Sequence, residues 1–155
     1  MFVSFFIRHK VSHYEKIRAL LIAKITNNMT SPSDLFYTKE HLWVLKSPEG
    51  DWLAGITDYA QDLLGDIVYL DPPKVGTNIQ SAKPCGIVES VKTGSDLHAP
   101  MDGVVTEINE SLVDTPEEIN DHPYKAWIFK FEPANANDTG HFLSADAYEA
   151  LISED

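Results

Sequence analysis

From Phe36 onward, apolar residues come in short runs cut by glycine, proline, asparagine and aspartate. Leu42 to Leu45 is apolar and rich in β-formers, Pro48, Glu49 and Gly50 signal a turn, and Trp52 to Ile56 resumes the run, so the pair predicts a β-hairpin. Thr57 or Asp58 can cap a short helix running through Asp62 and Leu64. A side-chain oxygen at a helix start satisfies a free backbone N–H, and Gly65 can end the helix in a left-handed conformation. Further strands are predicted at Ile67 to Leu70, at Ile79 after a break at Pro72, Pro73 and Gly76, at Cys85 to Val91, at Val104 to Ile108 and at Ala126 to Phe131. After Pro133, Ser144 caps a predicted terminal helix with Ala147, Tyr148, Leu151 and Ile152 along one side. Repeated short strands with turn punctuation predict a small sandwich or barrel. Gly65-Asp66-Ile67-Val68 is faintly echoed by Asp102-Gly103-Val104-Val105, which suits a fold of two similar halves.

Residues 1–28 break this pattern. Phe2, Phe5, Phe6 and Ile7 precede a basic, helix-prone stretch with Ile17, Leu20, Leu21 and Ile25. A targeting peptide, an early-read start codon and an ordered helix all fit; the expected reading is an extension with the domain at 29–155 and a start at Met29. That places the protein in the cytoplasm, or in the mitochondrial matrix if residues 1–28 are a transit peptide. The leader holds five basic residues and one acid, so residues 29–155 carry seven lysines, no arginine and 23 acids, a net of −16. Phosphate neutralisation needs clustered Lys or Arg, so no nucleic-acid binding is expected. No apolar run reaches the length of a membrane span. Cys85 is the single cysteine and is expected as a small core residue. The histidines show no metal-ligand spacing, with His98 expected at the surface, and Trp43, Trp52 and Trp127 are expected to pack on the sheets.

The stretch Gly86 to Pro100 carries the candidate chemistry. An apolar strand climbs to Lys92, a Gly and Ser cluster turns the chain at Gly94 and Ser95, and a second strand descends past Pro100 and Gly103. A lysine at such a tip points its amine away from the body, where a modifying enzyme can reach it. Geometry alone leaves an ordinary solvated lysine as the simpler reading. More specific are four collinear motifs: Tyr37-Thr38-Lys39-Glu40-His41 with Trp43 and Val44; Gly55 to Gln61 with Leu64 to Val68; Glu89-Ser90-Val91-Lys92 with Ser95, Asp96 and Pro100; and Asn120, Pro123, Tyr124 and Trp127. Together they resemble the glycine cleavage H proteins from about Leu35 to the C-terminus.

The resemblance implies a mostly β fold, a lipoyl-domain-like barrel-sandwich hybrid of two antiparallel sheets with a short internal helix and a C-terminal helix. It implies a monomeric carrier, not an enzyme, with lipoic acid held covalently as lipoyllysine at Lys92. The lipoyl arm would take an aminomethyl group from the glycine decarboxylase (P-protein) to the aminomethyltransferase (T-protein), and dihydrolipoyl dehydrogenase (L-protein) would reoxidise it. Biotin is the lesser choice, since biotin carriers usually flank their lysine with methionines and Lys92 lies between Val91 and Thr93. Glu89 and Asp96 are candidates for recognition by the lipoylating enzyme, with Asp96 also matching a family carboxylate that meets the loaded arm. The second such position, just before the tryptophan, is Leu42 here. Glu40 lies two residues earlier and, on a strand, would face the same side and could substitute. Tyr124 and Trp127 are separated by only Lys125 and Ala126, a tighter bend than is common in relatives. These departures leave room for an H-like protein that relays lipoyl groups to other enzymes, and for an unmodified scaffold domain.

Overall fold

The computed structural model describes residues 31–155, of which Ser33–Asp155 forms one unit. The readings of residues 1–28 and the start at Met29 lie outside the described residues. The elements run β1 (Phe36–Tyr37), β2 (Leu42–Lys46), β3 (Trp52–Ile56), α1 (Asp58–Leu64), β4 (Ile67–Asp71), β5 (Asn78–Ile79), β6 (Pro84–Ser90), β7 (Gly94–His98), β8 (Gly103–Ile108), α2 (Glu110–Asp114), α3 (Glu118–Asp121), β9 (Phe129–Pro133) and α4 (Ala145–Ile152). They build a six-stranded sheet ordered β1-β2-β3-β9-β8-β5 and a three-stranded sheet ordered β4-β6-β7, antiparallel throughout. The expected pair of antiparallel sheets is present; they stay separate and close no barrel.

Strand alternation sorts side chains into two apolar clusters. Leu42, Val44, Trp52, Ala54 and Ile56 meet Leu70, Val88 and Leu97 of the small sheet and Val105, Phe129 and Phe131 of the large one, filling the main core. On the opposite face of β1–β3, Leu35, Tyr37, Trp43 and Tyr148 form a second cluster, with half-buried Trp127, Leu151 and Ile152 packed against it. The terminal helix α4 therefore covers the outside of the large sheet. Trp43 lies across its register partner Gly55, where an added Cβ would come within 2.6 Å of the indole; a side chain there would collide with the ring. The indole N–H donates to the carbonyl of Pro123 at 3.0 Å, tying the 122–127 loop to the sheet.

Two elements depart from the sequence pattern. The last strand begins at Phe129 instead of Ala126, because Ala126 and Ile128 are buried in an irregular stretch whose Ile128 N–H donates to the Ala54 carbonyl at 2.7 Å. Helices α2 and α3 were not anticipated: each is a turn or so long and is anchored by one buried residue, Leu112 and Ile119, too little to make a period. The echoing segments open strands in different sheets, β4 and β8.

Candidate functional site

The hairpin β6–β7 presents Lys92 at its tip, with Glu89 opposite Gly94, Val88 opposite Ser95 and Ile87 opposite Asp96. Ser90 closes the turn. Its N–H donates to the Thr93 carbonyl at 2.7 Å, and its hydroxyl oxygen accepts from the amides of Lys92 and Thr93, both at 3.1 Å. From the other side the Val91 N–H donates to the Asp66 carbonyl at 3.0 Å. The backbone on either side of Lys92 is thus pinned, while Val91 is 68% exposed and Lys92 itself is exposed.

The surface under the lysine is the corner between α1 and β4. Thr57 caps α1 as expected, its hydroxyl accepting from the Ala60 N–H at 3.2 Å, and Gly65 ends the helix at φ 82° with its N–H on the Gln61 carbonyl at 3.0 Å. At Gly65 an added Cβ would meet Lys92 Cε at 2.8 Å, so the methylene stem of the lysine lies on the space that the missing side chain leaves. Asn120 of α3 holds this corner: its Oδ1 accepts from the Ile67 N–H at 2.9 Å, and its Nδ2 donates to the Gly65 carbonyl and to Gln61 Oε1, both at 2.9 Å. Sequence reasoning placed Gly65 as a helix end and Asn120 in a motif, but not their meeting with the lysine.

Glu89 and Asp96 are both exposed, on the outward face of the small sheet with Ile87, Asp71 and Tyr69, while Val88 and Leu70 point inward. Tyr69 is 49% and Val68 56% exposed, which gives an apolar centre within a carboxylate rim. Asp96 also lines a surface pocket with Asp71, Lys83, Cys85 and Ile87.

Glu40 departs from expectation. It lies in the turn between β1 and β2, where His41 has φ 69° and its N–H donates to the Thr38 carbonyl at 3.1 Å, so strand alternation does not carry from Glu40 to Leu42. Leu42 points into the main core at 1% exposure, whereas Glu40 is exposed beside Ala82, Ala99, Pro100 and His141. That pocket lies past the far end of β7, about 17 Å of extended chain from the lysine tip. His98 is half-buried at that same end, opposite Pro84, and is neither at the tip nor fully at the surface. Cys85 is half-buried against the main core, and burial pushes its thiol up to about 11. Among the described residues no group of three His, Cys, Asp or Glu could hold a metal ion, and no helix is long and apolar enough to cross a membrane.

A long acyl chain on the lysine amine fits these surroundings. The amine is reachable, the stem already has a glycine under it, and Leu63, Val68, Tyr69 and Val91 expose apolar surface around the corner and tip.

Comparison with known proteins agrees with this geometry. Residues 35–155 match the family model for the glycine cleavage H-protein. A glycine cleavage system H protein from Methylobacillus flagellatus is 65% identical over 124 residues, covering 80% of this chain and 99% of the relative. One from Oceanobacillus iheyensis is 49% identical over 127 residues, covering 81% of this chain and all of the relative (100%). The crystal structure of a glycine cleavage system H protein from Mycobacterium marinum superposes with a TM-score of 0.71 at 36% identity, covering 79% of this chain and 98% of that one. With its motifs, its two sheets and its lysine-tipped hairpin, the chain belongs to the glycine cleavage H-protein family.

Proposed function

We propose that Lys92 bears a lipoyl group in amide linkage and that the chain is the mobile carrier of the glycine cleavage system, moving an aminomethyl group between partner enzymes without itself being an enzyme. The observation that carries this reading is an exposed lysine on a pinned turn, its stem over a glycine, in a chain that matches the H-protein family along the whole described fold. When bound, the group supplies a dithiolane that can take up and give up the carried fragment.

The residues of this chain do the rest. Ser90 and the Asp66 carbonyl fix the backbone from which the arm leaves, so a tethered group sweeps a volume centred on a fixed point and its effective concentration at a docked enzyme stays high. Glu89 and Asp96, on the outward face beside the tip, are placed to be read by a lipoylating enzyme, and Asp96 to meet the amine of a loaded arm. The acidic body favours basic docking surfaces on the partners, which we take to be P-protein, T-protein and dihydrolipoyl dehydrogenase. The chain would work as a monomer, and the bacterial origin of its relatives favours the cytoplasm over a mitochondrial matrix.

The decisive experiment is expression with lipoate and a lipoylating enzyme. A mass increase on the peptide containing Lys92, and exchange of bicarbonate into glycine by P-protein only when the modified chain is added, are the expected results. Lys92→Arg should abolish both, because a guanidinium stays protonated and cannot accept the acyl group. Undiminished exchange with the arginine variant would refute the reading, and lipoyl transfer to another apoprotein without exchange would replace it by the relay.

A further inference from the structure

We infer that Asn120 is a positioning residue for the carrier lysine, acting through the α1–β4 corner; the inference rests on the reading of Lys92 as the attachment point. The corner has two backbone groups with no partner in helix or sheet geometry, the Gly65 carbonyl at the end of α1 and the Ile67 N–H at the start of β4. One carboxamide serves both, at 2.9 Å each, and its second N–H reaches Gln61 Oε1 on the last turns of α1. A side chain with one acceptor and two donors in a fixed plane is the group that can do this; a carboxylate offers no donor and a hydroxyl only one.

What Asn120 holds is what the lysine rests on. Gly65 lies under Lys92 Cε, and the next residue, Asp66, accepts from the N–H of Val91, the residue before the lysine. Stem and backbone of the tip are therefore referenced to the same three residues, Gly65 to Ile67, and these to a side chain from α3. The helix is in turn seated by the fully buried Ile119, so it is a firm base despite its four residues. Without the carboxamide, Gly65 has the freedom of a residue with no Cβ at positive φ, and its carbonyl loses the Asn120 N–H that holds it. The turn would remain closed by Ser90, but its direction relative to the body, and the root of the arm with it, would wander. The family match does not speak to this role, and its physical content is orientation, not chemistry.

The test uses the full chain with Asn120→Ala and Asn120→Asp, the second keeping the acceptor for Ile67 while losing both donors. Two readouts are taken at a temperature where far-UV circular dichroism shows each variant folded. In acylation of Lys92 by a lipoate ligase with lipoate and ATP, KM for the protein should rise about tenfold, the weight of one hydrogen bond's worth of preorganisation, with kcat unchanged. In the unmodified protein, carbon-13 relaxation of the Lys92 Cε should report greater motion in both variants, with Lys74 and Lys125 unchanged as internal controls. A folded variant with wild-type KM and wild-type Lys92 relaxation overturns the inference; if the alanine form does not fold, the aspartate form decides. A wild-type chain that is never acylated at Lys92 would instead refute the carrier reading, while the relaxation measurement would still report whether Asn120 holds the lysine.

Discussion

Tyr148→Phe isolates a buried hydrogen-bond chain that ties the C-terminal helix to the helix beneath Lys92. Tyr148 is fully buried, its ring stacked on Tyr37 at 4.8 Å between centroids, and its hydroxyl lies 2.7 Å from Thr57 Oγ1 and 2.9 Å from His41 Nδ1. Thr57 Oγ1 already accepts from the Ala60 N–H as the cap of α1. With His41 neutral and its proton on Nε2, every group is satisfied: Thr57 donates to Tyr148 and Tyr148 donates to His41. With His41 protonated, both ring nitrogens become donors, and one hydroxyl hydrogen of the Tyr148–Thr57 pair is left without a partner in a buried site. Burial lowers the His41 pKa, opposed by Asp155 and Glu40 nearby. Phenylalanine keeps the stacking and removes both bonds, leaving the Thr57 hydroxyl and His41 Nδ1 unpaired, at about 1–3 kcal/mol for each buried orphan. Part of that is relieved where half-buried His41 can reach water, which sets the expected loss at about 2–4 kcal/mol and the fall in Tm at roughly 4 °C per kcal/mol. The check is urea unfolding of both proteins at pH 7.5 and pH 5.5. Because the folded pKa of His41 lies below its unfolded value near 6.5, the unfolded state binds the extra proton first. The stabilisation is whole above about pH 6.5 and is lost as pH falls through the folded value. Removal of the tyrosine hydroxyl takes away the partner that favours neutral His41, so the gap between the proteins should narrow at the lower pH. A variant within about 0.5 kcal/mol of the wild type at pH 7.5 would refute the assignment.

Three further outcomes are expected. Gly55→Ala puts a carbon 2.6–2.7 Å from three atoms of the Trp43 indole and should cost about 1–3 kcal/mol in urea unfolding, with a shift in tryptophan fluorescence as the ring leaves the Pro123 carbonyl; an unchanged spectrum and midpoint would count against the packing described. Cys85, with its thiol pushed up to about 11, should react slowly with a maleimide at pH 8, where only about one thiol in a thousand is ionised, and quickly once urea exposes it; equal rates would contradict its burial. Glu40→Gln should leave the lifetime of methylamine-loaded protein unchanged, since Glu40 sits past the far end of β7 from Lys92, and a shortened lifetime would bring that carboxylate back into the mechanism.

Features that depend on neighbours in the chain could be read from the sequence. The β2–β3 hairpin, the Thr57 cap and Gly65 end of α1, the Ser144 cap of α4 and the exposed tip at Lys92 each follow from local turn chemistry and short-range alternation. Features made by side chains meeting across the fold could not. The side that Glu40 faces is not legible, because alternation stops at His41, whose left-handed backbone turns the chain, and the residue type alone does not fix that conformation. The partnership of Tyr148 with His41 and Thr57 joins residues 107 and 91 positions apart, and that of Asn120 with Gly65 spans 55. Small helices such as α3 escape periodicity because one buried residue makes no period, yet α3 supplies the side chain that organises the lysine corner.

A carrier has to solve a problem that an enzyme does not: its working group must be mobile while the point it is hung from must not be. Every residue of loose chain at the root would enlarge the volume searched and dilute the tethered group, with a penalty that grows with the logarithm of the added length. On the proposed reading of Lys92 as the attachment point, the fold meets this by ending its stiffness at one atom position. Up to Cα the lysine is fixed, through Ser90 within the turn, through Asp66 to the neighbouring strand and through Asn120 to a separate helix. As far as Cε its stem has a surface to lie on, at Gly65. Beyond Cε it meets solvent. A side chain in place of Gly65 would lift the stem off the body, and a longer turn in place of Ser90 would let the whole root drift, so these two residues set where rigidity stops and reach begins.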